Sequence, residues 1–102
     1  MRFLMRVSIP AEAGNASAKK DGFKAIQTIL QQQKPEAAYF LPLDGKRTGL
    51  LIFDLKNASQ IAEYAEPWFL ALNAEVWWTP VMLPSDLQQA GPAIADAVKT
   101  FG

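Results

Sequence analysis

Residues 2 to 9 alternate, with Phe3, Met5, Val7 and Ile9 on one side and Arg2, Leu4, Arg6 and Ser8 on the other. A period of two predicts a β-strand, and Pro10 ends it. Asn15 can cap a helix running to about Gln33, with Phe23, Ile26, Ile29 and Leu30 on one face. Gly22 costs that helix up to ~1 kcal/mol relative to alanine. Lys34-Pro35 stops it. Residues 37 to 43 and 47 to 55 are apolar runs joined by Asp44-Gly45, a pair suited to the positive φ angles of a tight hairpin. Asn57 with Gln60 resembles a capping box opening a second helix, whose apolar stripe is Ala58, Ile61, Ala62, Ala65, Trp68, Phe69 and Leu72. Pro67 frees the carbonyl of Glu63 and predicts a kink or a new segment there. Residues 74 to 82 are rich in β-branched and aromatic side chains and read as a fourth strand. Ser85 with Gln88 caps a short helical turn, Gly91-Pro92 breaks the chain, and a last helix ends near Phe101.

The order is therefore β-α-β-β-α-β plus a C-terminal helix. This is an α+β, ferredoxin-like antiparallel sheet in spatial order four, one, three, two, formed by one domain over residues 1–102. Proline placement tests that order, because proline cannot donate to a ladder and is confined to edges or bulges. Pro42 and Pro80 fall on strands two and four, the two edges. The helices should cover one face of the sheet, yet both sides of several strands are apolar. Leu4, Leu50, Ile52, Trp77 and Val81 oppose Met5, Leu51, Phe53, Trp78 and Met82. Leaving the first set wet would forfeit on the order of 10 kcal/mol, so the sequence predicts a homodimer through sheet faces. The alternative is that the C-terminal helix covers part of that face.

Composition narrows the chemistry. The chain has 102 residues, ten basic and ten acidic, with half hydrophobic and a fifth charged. That balance fits a globular domain and lacks the basic footprint of a nucleic-acid or anionic-membrane partner. There is no cysteine and no histidine. Thiolate nucleophiles, disulfides, Cys or His metal ligation and imidazole catalysis are all excluded, and neither a cofactor nor a metal site is expected. Any acid-base step falls to a carboxylate, lysine or tyrosine. No apolar run approaches the ~18 residues of a membrane span, and the first six residues read as a strand rather than a signal, so a cytoplasmic location is the default expectation. The Asn-x-Ser triplets at Asn15 and Asn57 are read as chance matches to a glycosylation signal.

The segments RFLMRVSIP, KPEAAYF, RTGLLIFDL, AEPWFLALNAEV, PVMLPSDL and AGPAIADAV cover well over half the chain. Through them it resembles a small bacterial family of unknown function with the dimeric α/β-barrel, ferredoxin-like fold. The resemblance implies two sheets packed into a barrel, with a cavity inside it or between sheet and helices. Members of that superfamily include cofactor-independent monooxygenases, lactone isomerases and ligand-sensing domains. Histidines used by several of those enzymes are missing here.

Five residues stand out as ligand-site candidates. Arg6 lies mid-strand opposite the apolar face and reads either as an interface arginine paired with Glu75 or as an anchor for an organic anion. Trp77, on the neighbouring strand, can share its face. Tyr39 with Trp68, Trp77 and Trp78 reads as core and interface, or as an aromatic pocket. Asp54, beside an apolar run, reads as a turn-capping carboxylate, or as a base with a raised pKa. Residues 44 to 49 superficially resemble a phosphate loop, but the spacing is wrong and a hairpin explains them. The leading expectation is a dimeric protein that binds a small molecule, a planar organic acid near Arg6 and Trp77. The alternatives are a cofactor-independent isomerase or monooxygenase-like enzyme and a ligand-free interaction module.

Overall fold

A computed structural model describes residues 1–102. The elements are β1 (Arg2–Ile9), α1 (Ala11–Asp21), α2 (Lys24–Gln33), β2 (Ala37–Leu43), β3 (Lys46–Asp54), α3 (Ser59–Leu72), β4 (Glu75–Pro80), α4 (Pro84–Gln89) and α5 (Gly91–Phe101). The four strands form one antiparallel sheet ordered β2-β3-β1-β4, which is the four-one-three-two order counted from the other edge. Both proline-bearing strands are edges. The pleat sends Met5, Val7 and Ile9 of β1 and Leu51 and Phe53 of β3 into a core closed by Ile29, Trp68 and Leu72. The arrangement is ferredoxin-like, with α1, α2 and α3 following the strand connections that the period-two and helical patterns predict.

The β2–β3 hairpin turns on Asp44 at φ 53° and Gly45 at φ 76°, both left-handed, as a two-residue turn of this chemistry requires. Register then follows: Met5 sits opposite Leu51 on one side and Trp78 on the other, and Arg6 sits between Leu50 and Trp77. Arg2 donates to both carboxylate oxygens of Glu36 at 2.9 and 3.0 Å. That fork holds the guanidinium's proton more firmly than usual, chiefly through the hydrogen bond and then through the charge of Glu36.

The first helical region departs from the sequence reading. Instead of one helix capped by Asn15, there are two, and the first begins directly after Pro10. Gly22 adopts φ 64° and Phe23 φ 65°. The Gly22 and Phe23 amides return to the carbonyls of Ala18 and Ser17, closing α1, while Asp21 Oδ1 accepts from the Lys24 amide at 3.1 Å and opens α2. Gly22 is thus a terminator rather than a weak helical residue.

Three other expectations are corrected. Helix α3 runs as one segment through Pro67, so no new segment begins there, and the freed carbonyl of Glu63 belongs to an exposed residue where water can replace the missing donor. The opening of α3 keeps half of the expected box: Gln60 Oε1 accepts from the amides of Lys56 and Asn57, but Ala58, not Asn57, occupies the cap position. In α4 the capping carboxylate is Asp86, which accepts from the Leu83 amide at 2.9 Å, rather than Ser85 with Gln88.

Beyond β4 the chain leaves the sheet. Helix α5 packs on α4 and buries none of its side chains, so it does not cover the second sheet face. The molecule measures 59 × 29 × 19 Å with a radius of gyration of 17.3 Å, well above the ~13 Å of a compact domain of this length. No helix is long and apolar enough to cross a membrane.

Candidate functional site

The residues singled out in the sequence fall into three separate places. Tyr39, Leu50, Arg6 and Trp77 form one row across the uncovered sheet face. Arg6 reaches over β3 to the hairpin turn, where Nη2 donates to Asp44 Oδ2 at 3.0 Å, and its Cζ stands 4.8 Å from the Trp77 ring centroid. The sequence proposed Glu75 as the partner. Glu75 shares the face, opposite Ser8, but the carboxylate on Arg6 comes from the turn, which strand periodicity alone could not place. Arg6 Nε is buried with no partner. Tyr39 and Trp77 are three strand spacings apart, roughly 14 Å, so they do not share a pocket. Trp68 and Trp78 lie on the opposite, core side: Trp68 is fully buried, and Trp78 meets Phe3 edge-on at 6.0 Å.

Asp54 closes β3 at the far end of the sheet. Its Oδ1 accepts from the Met1 ammonium at 3.0 Å and its Oδ2 from Lys56 Nζ at 3.3 Å. These hydrogen bonds, the ammonium's first, hold its pKa below the ordinary carboxylate value, so the raised pKa that a base would need is not found. A lowered folded-state pKa means that the stabilisation is present above the unfolded value of about 3.9 and is lost as pH falls through the folded one. Urea unfolding of wild type and Asp54→Asn should therefore show a gap at neutral pH that closes in acid. A gap that stayed constant down to pH 2 would assign Asp54 no such role.

A fourth place was missed. Between α2 and the β2–β3 edge lies a pocket of about 430 Å³, lined by Ile9, Phe23, Ile26, Phe40, Leu41, Pro42, Arg47 and Thr48. Its size is within the range of small-molecule sites, and the lining is apolar apart from one guanidinium and one threonine. Arg47 stands at the rim, on the strand face that also carries Gly49, Leu51 and Phe53. Its Nη1 donates to Asn15 Oδ1 at 2.9 Å and its Cζ lies 5.6 Å from the Phe23 ring centroid. No carboxylate pairs with it, although Arg2 and Arg6 each have one.

Three backbone features make room for this arrangement. Gly14 lies inside α1, where glycine is unfavourable by up to ~1 kcal/mol, and a Cβ there would stand 2.8 Å from Arg47 Nη1 and 3.2 Å from its Cδ. A Cβ on Gly49 would come within 2.9 Å of the Phe40 ring. Phe23 holds a left-handed backbone, strained by about 1 to 3 kcal/mol for a non-glycine residue, and this aims its ring at the pocket. The alternation of β3 was the available signal: Arg47 shares the period of Gly49, Leu51 and Phe53, so a cation on the core side was readable.

No group of three or more metal-ligating side chains converges in the structure. No protein-family model matches the chain, and no curated protein matches it.

Proposed function

We propose that this protein binds a small apolar organic acid in the pocket between α2 and the β2–β3 hairpin, with the carboxylate on Arg47. The observation that carries this reading is a guanidinium with no acidic partner at the rim of an apolar cavity. Arg47 can give Asn15 one of its five N–H groups and still present a fork to a carboxylate. Arg6, the earlier choice, already has Asp44 and Trp77. The pocket lining contains no carboxylate, lysine or tyrosine able to move a proton, which favours binding over a cofactor-independent isomerase or monooxygenase. A ligand-free interaction module gives no role to an apolar cavity with a guanidinium that has no acidic partner.

We also propose that the protein is a homodimer joined through its uncovered sheet face. Leu4, Leu50 and Ile52 are only half-buried there and Trp77 is 43 % exposed, a patch that its own helices leave to solvent.

Calorimetric titration of aliphatic and aromatic carboxylic acids against their matched amides tests the ligand. A charge-assisted hydrogen bond contributes about 1.5 to 3 kcal/mol, so acids should bind roughly ten- to hundredfold tighter than amides. Arg47→Gln should bring acids down to the amide level, while Arg6→Gln should leave the difference intact. Acids and amides of equal affinity, or a preference that survives Arg47→Gln, would defeat the proposal.

A further inference from the structure

We infer that α5 is an exchanged arm, which docks its apolar stripe on the uncovered sheet face of a second copy of the chain. This rests on the homodimer proposed above and names the element that fills its interface. On a helical projection Ile94, Val98 and Phe101 fall on one side of α5, while Asp96, Lys99 and Thr100 fall on the other. The stripe is open: Val98 is 62 % and Phe101 88 % exposed. An isolated helix of eleven residues is marginal in water, and packing of an apolar face is what usually holds one. Here it packs chiefly on the six-residue α4 and buries no side chain, so the stripe needs a surface that its own fold withholds.

The same chain carries the complementary surface. Leu4, Leu50 and Ile52 lie on adjacent strands β1 and β3, whose combined width of roughly 10 Å matches one helix diameter. Helix α5 makes no substantial contact with β1 or β3 in its own chain. A helix and a receiving face on one chain make a closed twofold pair, in which each copy gives an arm and takes one. The polar side of α5 bears one acid and one base, so it lacks the basic face of a helix that lies on anionic lipid.

Light scattering of the full-length protein, compared with Ile94→Glu/Val98→Glu and with Trp77→Asp, tests the arm. Wild type should have twice the chain mass at micromolar concentration. The double variant should raise the dissociation constant at least ~100-fold and leave the domain's cooperative unfolding in urea intact, because α5 buries nothing in its own domain. Absence of native cysteine permits a second, independent measurement. Oxidising a mixture of Ile52→Cys and Val98→Cys chains should give a disulfide-linked heterodimer. A dimer that ignores the Ile94/Val98 changes but dissociates with Trp77→Asp, or one that forms no mixed disulfide, rejects the arm and keeps the dimer. A wild-type monomer rejects both.

Discussion

Replacing Trp68 by alanine should lower the unfolding free energy by about 3 to 5 kcal/mol, the range for removing a fully buried aromatic side chain. Its indole packs in the core and also joins two helices. Nε1 donates to Gln33 Oε1 at 3.2 Å, and Gln33 Nε2 donates to the Tyr64 carbonyl at 2.9 Å. Truncation leaves a cavity and an unsatisfied buried acceptor together. Against a total of roughly 5 to 15 kcal/mol, a loss of this size should lower the melting temperature by on the order of 15 °C or more. Trp68→Phe keeps most of the volume and loses the donor, so about 1 to 2 kcal/mol is expected. Urea unfolding at fixed protein concentration measures both. A loss below 1 kcal/mol for the alanine variant would show that the α2–α3 contact is held elsewhere.

Gly14→Ala should separate stability from binding. In α1 alanine is favoured over glycine by up to ~1 kcal/mol, so the domain should be unchanged or slightly firmer. The new methyl would stand 2.8 Å from Arg47 Nη1 and 3.3 Å from Ile9 Cγ2, so the flexible guanidinium must swing out. Carboxylic acids should then bind about tenfold weaker or worse, with amides little affected. Gly49→Ala offers the contrast. It pushes the Phe40 ring into the pocket, so acids and amides should both weaken. Gly14→Ala chains that bind acids like wild type would place the carboxylate away from Arg47.

Strand positions were legible because Phe3, Met5, Val7 and Ile9 repeat with period two and because Pro42 and Pro80 can lie only at edges. The hairpin was legible because Asp44-Gly45 tolerates positive φ. The break at Gly22-Phe23 was not, since nothing in the propensity of phenylalanine announces a left-handed backbone. That angle is imposed by closing α1 and opening α2 within two residues. The proposed site was legible in type but not in place. An arginine serving as an anion anchor was expected, and Arg6 drew attention because it stands amid apolar neighbours. Arg47 was absorbed into the turn, although counting back from Phe53 puts it on the core side. Whether each guanidinium already had an acid depended on contacts 32 to 38 residues apart, Asn15 with Arg47 and Arg6 with Asp44, which no local pattern encodes.

The three indoles divide the molecule into optical compartments. Trp68 is sealed in the core, Trp78 lies beneath the sheet against Phe3 and Phe53, and Trp77 alone looks out from the uncovered face. None lines the cavity at Arg47. Intrinsic emission should therefore shift to the blue when copies associate and stay nearly dark to the entry of a ligand, so that one wavelength scan reports assembly without interference from occupancy.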